Sequence, residues 1–274
     1  MNQPHRARKR FGQHFLVSPD VITDILSAVA AKSDDTIVEI GPGLGAMTAP
    51  LAATGATVHA IEIDRDLAGN LRKRYSQFRN VTIHQADALN FDFASLGDSL
   101  RIVSNLPYNI STPLLFRLVK FKKHLIDLYL MLQKEVVKRI TATPGTRSYG
   151  RLSIMLGCHM QVQPLFDVSP QSFAPPPKVT SGVVAMKPLP QDTFNILYHA
   201  ALSALVSHAF SKRRKTIRNA LQGVANAAHL DRAGIDQSVR PQEIPIDRWV
   251  ALANIISECR HELAQLGESK RERQ

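Results

Sequence analysis

A strand-like run that ends in a glycine-rich loop, followed by three more runs that each end on a polar residue, leaves a chain few ways to fold. Residues 36–40 lead into Gly41-Pro42-Gly43-Leu44-Gly45, and the runs 57–63, 81–85 and 101–104 carry Glu62, Asp87 and Asn105 at or just beyond their ends. Apolar residues recur at helical spacing over 21–31, 46–54, 65–75, 113–120 and 134–141, and 125–132 reads as a fifth strand. Such alternation predicts an α/β fold, a Rossmann-like parallel sheet covered by helices. Residues 161–168 and 181–187 read as an antiparallel pair closing the sheet. Asp64 and Asp66 read as helix-capping residues.

The stretch Pro188-Leu189-Pro190-Gln191-Asp192 ends this rhythm, because two prolines among polar residues stop a strand. Downstream, 195–210, 214–227 and 246–264 show helical apolar spacing. The chain is therefore expected to comprise a sheet domain over 1–190 and a small all-helical domain over 191–274. At 274 residues, 44% of them hydrophobic, it has material for a core in each part.

A strand delivering Gly41, Gly43 and Gly45 into a helix places backbone N–H groups against an anion. With Ala46 in the sixth position the loop also satisfies the dinucleotide fingerprint, so a nicotinamide oxidoreductase is one reading. Glu62, about 20 residues beyond the loop, suits ribose hydroxyls under either reading. Asp87, placed for an adenine amino group, and Asn105, at the edge where open sheets bind ligands, fit S-adenosylmethionine better than NAD.

Asn105-Leu106-Pro107-Tyr108 points to methyl transfer onto an exocyclic amine. The lone pair of such an amine is delocalised into the ring, which makes it a poor nucleophile. The Asn105 side-chain oxygen and the Leu106 carbonyl would accept its two hydrogens and favour a pyramidal nitrogen as positive charge develops. Pro107 would stiffen the turn, and Tyr108 on one side with Phe173 on the other would sandwich a flipped base.

Lys and Arg number 34 against 23 Asp and Glu, a formal net charge of +11 that favours a polyanionic partner such as nucleic acid. The cations cluster. Arg6, Arg8, Lys9 and Arg10 stand in an acid-free start, and Lys212, Arg213, Arg214, Lys215 and Arg218 form a second group, with Arg214 and Arg218 expected one helical turn apart. Lys134, Lys138, Arg147 and Arg151 are weaker candidates of the same kind. Cys158 and Cys259 lack the short spacings of metal or redox motifs, so no metal site and a reduced compartment are expected. No run approaches the roughly 20 apolar residues of a membrane span. The expectation is a cytoplasmic protein, and, with no apolar surface stripe evident, a monomer.

Six motifs together carry a resemblance. They begin at Arg8 (RKRFGQHFL), Glu39 (EIGPGLG), Asn105 (NLPYNIST), Met131 (MLQKE), Phe173 (FAPPPKV) and Phe210 (FSKRRKTIRN). The set resembles the KsgA/RsmA-type small-subunit rRNA adenine dimethyltransferases across nearly the whole chain. The resemblance implies a class I S-adenosylmethionine-dependent methyltransferase sheet with a helical rRNA-recognition domain. It implies that N6 of two adjacent adenosines in the 3′-terminal hairpin loop of 16S rRNA is dimethylated, in the small subunit or its precursor. In that family the positions matching His14, Leu16, Gly41, Glu62, Asp87 and Asn105 contact the cofactor. His14 departs from the asparagine often found there, and Leu106 from the proline of many amine methylases. The alternative is an RNA-binding ribosome assembly factor in which methylation is secondary.

Overall fold

The computed structural model describes residues 13–271, so Arg6, Arg8, Lys9 and Arg10 lie outside the described residues. The described chain divides into two compact units: one runs up to Lys138 and resumes over His159–Pro188, and the other comprises Arg139–Cys158 and the chain from Leu189 onward.

The first unit opens with β1 (Phe15–Leu16) and α1 (Pro19–Val29). Its sheet then takes β2 (Thr36–Ile40), β3 (Thr57–Glu62), β4 (Val81–Gln85), β5 (Leu100–Asn105) and β6 (Leu125–Gln133) as parallel strands. Between them run α2 (Thr48–Ala53), α3 (Arg65–Arg74) and α4 (Ser111–Lys120), with α5 (Lys134–Ile140) after β6. The unit is completed by β7 (Met160–Val168), β8 (Phe173–Ala174) and β9 (Ser181–Pro188). The seven-stranded order is β4-β3-β2-β5-β6-β9-β7, with β9 antiparallel to both β6 and β7. The expected antiparallel closure is thus present, made by a strand inserted between the last parallel strand and the edge.

Central strands are continuous apolar runs because both faces are covered. Ile37, Val38, Ile102 and Val103 are fully buried. Asp64 caps α3 as expected, its carboxylate accepting from the Asp66 N–H. The pairing of β1 with β8 carries no periodic signal; it forms a separate two-stranded ribbon, Phe15 opposite Ala174 and Leu16 opposite Phe173.

The second unit is helical, with α6 (Arg151–Gly157), α7 (His199–Ser211), α8 (Ile217–Ala220), α9 (Ala227–Arg232) and α10 (Ile246–Arg271). Trp249 and Tyr149 are buried at its centre among Ile154, Leu202, Val206 and Ile217. Residues 139–158 therefore belong with these helices, although their place in the chain order put them in the sheet domain. The break near 190 coincides with the end of β9. The helix expected over 214–227 is also corrected: α8 is only four residues long, and the chain leaves it toward Gly223, whose φ is +80°. Among the described residues, no helix is long and apolar enough to cross a membrane.

Candidate active site

Parallel pairing puts the carboxyl ends of β2, β3, β4 and β5 at one edge of the sheet, so residues far apart in sequence converge there. They line a cavity of about 310 Å3, within the range of small-molecule sites. Its walls include His14, Leu16, Gly41, Gly43, Glu62, Asp87, Asn105, Leu106, Pro107 and Tyr108. Ile63, Ala88 and Leu89 add an apolar side.

The glycines shape the loop. Gly41 donates its N–H to the Ile61 carbonyl at 2.9 Å, Gly45 to the Pro42 carbonyl at 2.8 Å, and Gly43 to the Glu62 carboxylate at 3.2 Å. These three N–H groups are committed inside the protein, which corrects the expectation that they face an anion. Glycine is required at 43 for another reason: its φ is +58°, and a Cβ there would stand 2.9 Å from the Phe15 ring. Helix α2 begins only at Thr48, so the expected junction of Gly45 directly with a helix is replaced by a turn through Met47.

Glu62 accepts from the N–H groups of Gly43 and Asp64, tying the loop to the end of β3. Burial pushes its carboxyl up from the ordinary value, and the two N–H donors offset part of that rise. Asp87 accepts from Leu89 N–H and the Asn90 amide, both at 2.9 Å, and so holds its own turn at the cavity wall. Sequence reasoning did not single out Glu39. This side chain on β2 is fully buried and lines the same cavity, and its Oε1 has no hydrogen-bond partner among the described residues. A negative residue inside an apolar strand was the available signal. Three acidic groups, an apolar side and a glycine turn fit a ligand with a cationic or hydroxylated end and a flat ring.

At the end of β5 the Asn105 amide nitrogen donates to the His14 carbonyl at 2.9 Å. A carbonyl only accepts, so this bond assigns the amide orientation and leaves Oδ1 as the free acceptor. Leu106 is buried and anchored by its N–H to Met131 O, while the Pro107 carbonyl accepts from Ile110 N–H to close the turn. The Tyr108 hydroxyl lies 2.6 Å from the hydroxyl of buried Ser181 on β9. Its ring stacks on His14, with centroids 5.7 Å apart and planes 28° from parallel.

Phe173 departs from expectation. It is 3% exposed and packs in the core with Leu16, Val168 and Val183, held there by its pairing opposite Leu16, so it offers a base no free face.

The cations also sort themselves. Lys212, Arg214, Lys215 and Arg218 are exposed, but Arg214 precedes α8, so the expected one-turn spacing with Arg218 is absent. Arg213 is structural, donating to Arg147 O at 2.6 Å and to Gln242 at 3.2 Å. Lys134 is ion-paired with Asp167.

A match to the ribosomal RNA adenine dimethylase model spans residues 4–258. The chain belongs to that family. It is 48% identical to the ribosomal RNA small subunit methyltransferase A of Nitrosospira multiformis over 93% of this chain and 98% of that protein. It is 51% identical to the protein of the same name from Aromatoleum aromaticum, over 92% and 95%. Among solved structures it is similar to a dimethyladenosine transferase from Plasmodium falciparum, with TM-score 0.75, 26% identity, and coverage of 87% and 96%. The 23S rRNA methyltransferase ErmE shares the fold at TM-score 0.67 and 23% identity, over 89% and 99%. The sheet is that of class I methyltransferases and the protein is a methyltransferase, so the nicotinamide reading is set aside.

Proposed function

We propose that the protein uses S-adenosylmethionine to dimethylate N6 of two adjacent adenosines in the 3′-terminal hairpin loop of 16S rRNA, in the small ribosomal subunit or its precursor. It does so as a cytoplasmic monomer. The observation that carries this reading is the orientation of Asn105. Its amide nitrogen is used by the His14 carbonyl, so its oxygen is left to accept from an amine entering beside it. A keto oxygen of a different substrate would find no donor in that atom.

The cofactor would supply a methyl group made electrophilic by a sulfonium. Glu62 and Asp87 would hold its ribose and adenine, Gly41, Gly43 and Gly45 would shape the turn beside its methionine end, and His14 and Leu16 would cover it. Asn105 Oδ1 and the Leu106 carbonyl would accept the two amine hydrogens, leaving the lone pair directed at the methyl. Pro107 would keep that turn rigid, and the Tyr108 ring would stack on the base, an interaction worth roughly 1–3 kcal/mol. No strong base is needed, because the methylated nitrogen is acidic enough to lose a proton to water. Positioning then supplies most of the rate. The exposed Lys212, Arg214, Lys215 and Arg218 would track phosphates.

The test is incubation with labelled S-adenosylmethionine and unmodified small subunits, followed by mass analysis of the methylated RNA fragment. Two adjacent dimethyladenosines are expected. Label on another nucleotide, or none, would overturn the reading. Asn105→Ala should lower incorporation about 10²–10³-fold while RNA binding persists.

A further inference from the structure

The His14–Tyr108 stack occupies the surface that the target base needs. Bases stack at about 3.4 Å, so a base between two rings requires a gap near 7 Å. The two ring centroids are 5.7 Å apart and the planes nearly parallel, which leaves no room for one. The opposite candidate for a second face, Phe173, is in the core.

We propose that His14 is a gate residue that stands in for the target adenine on the Tyr108 face, and that substrate entry exchanges the imidazole for the base. This rests on the methyl-transfer reading above.

The anchoring of the two rings decides which one moves. Tyr108 is held by the hydroxyl of Ser181, which is fully buried on β9, and by the stiff turn that follows Leu106. His14, half-buried, is held by Nδ1 donating to the Pro175 carbonyl at 2.8 Å, a hydrogen bond open to solvent. Water replaces an exposed hydrogen bond at little cost, so the imidazole yields first. The His14 backbone does not need to follow. Its carbonyl accepts from Asn105, and the next residues, Phe15 and Leu16, pair with β8. A side-chain rotation therefore clears Tyr108 while the Asn105 oxygen stays aimed. The swap replaces one aromatic contact by another, so the stack it breaks offsets part of the stacking gained.

The experiment uses the full chain with histidine-selective 13C labelling. The His14 ring protons are expected upfield of the other histidines because they lie over Tyr108, and Tyr108→Ala identifies them by abolishing that shift. An RNA hairpin with two adjacent loop adenosines, added with S-adenosylhomocysteine to prevent turnover, is expected to return the resonance to the position of an exposed histidine. A hairpin with uridines at those positions should leave it in place. In kinetics at saturating cofactor, His14→Ala is expected to lower KM for RNA about threefold to tenfold, the value of one aromatic pair. The same substitution in a Tyr108→Ala background should change KM for RNA little. A His14 resonance unmoved at saturating hairpin, or a KM for RNA unchanged by His14→Ala, overturns the gate. Absence of any methyl transfer by the unaltered protein would instead overturn the proposed function, and the gate with it.

Discussion

The Thr48 hydroxyl donates to Oε2 of Glu39 at 2.5 Å, and Oε1 of the same carboxyl faces no partner among the described residues. Glu39 is fully buried in the wall of the cavity, which Glu62 and Asp87 also line. Burial pushes the Glu39 carboxyl up to about 7; the Thr48 hydrogen bond opposes that rise and the Glu62 charge adds to it.

Between its ordinary value of 4.5 and about 7, Glu39 holds a proton in the folded state that it lacks in the unfolded one. Stability therefore falls as pH rises through that window, by about 3 kcal/mol in all. Glu39→Gln removes the titration while keeping the shape. Urea unfolding should find it more stable than the unaltered protein at pH 8, with the gap closing toward pH 5. Parallel pH profiles would show that Glu39 does not titrate in this range.

At the opposite ends of the strands, Arg101 on β5 reaches Asp127 on β6 through two hydrogen bonds of 2.9 and 2.8 Å, and also Asp35 and the Val29 carbonyl. Asp127→Ala removes two of the guanidinium's hydrogen bonds and leaves it Asp35 and the Val29 carbonyl, so it should cost about 1.5–3 kcal/mol in denaturant titrations. Burial pushes the Asp35 carboxyl up, but the Lys32 N–H and Arg101 more than offset it, so its net shift is downward. Its contribution is present above the ordinary 3.8 and disappears as pH falls through the lower folded value. Arg101→Gln should flatten that acid limb.

Gly43→Ala introduces a Cβ at φ +58°, 2.9 Å from the Phe15 ring. The left-handed backbone costs an L-residue about 1–2 kcal/mol, and the Phe15 clash adds to it. Calorimetric titration with S-adenosylmethionine should show affinity reduced about tenfold or more. Adding Phe15→Ala relieves the clash but not the backbone, so recovery should be partial. Full affinity in the single variant would refute the account of the loop.

Neutralising Lys212, Arg214, Lys215 and Arg218 together should weaken small-subunit binding and lower the salt slope by roughly 0.7–0.9 for each phosphate that is no longer neutralised. Cofactor affinity should not change. Arg213→Ala should behave differently and lower the melting temperature, because its guanidinium holds the Arg147 carbonyl and Gln242. Binding unaltered at several salt concentrations would remove these cations from the RNA surface.

Much of the sheet was legible because buried parallel strands are continuous apolar runs and because their polar last residues stand in chain order. Glu62, Asp87 and Asn105 could be named from that order alone. The Asp64 cap was legible because capping is a local hydrogen bond. Other features left no trace of this kind. A two-residue strand such as β1 has no period, and Phe173 reads the same whether it faces a base or a core. Residues 139–158 read as part of the sheet domain by their place in the chain, because the hydrophobic partners of Tyr149 and Ile154 come from helices far downstream. Arg213 resembled its exposed neighbours until its guanidinium was seen on Arg147 and Gln242.

The amino-acid order by itself determined the fold class, the edge of the sheet at which chemistry would occur and the residue types gathered there, since propensity, alternation and capping act over a few residues. Tertiary structure decided which atoms of those residues are free. Asn105 presents its oxygen because His14, 91 positions earlier, takes its nitrogen, and Glu39 gives up its proton at higher pH than an ordinary glutamate because burial withdraws the water that would stabilise its charge. Hydrogen-bond partners and desolvation come from segments distant in the chain, and so exist only once the chain has folded.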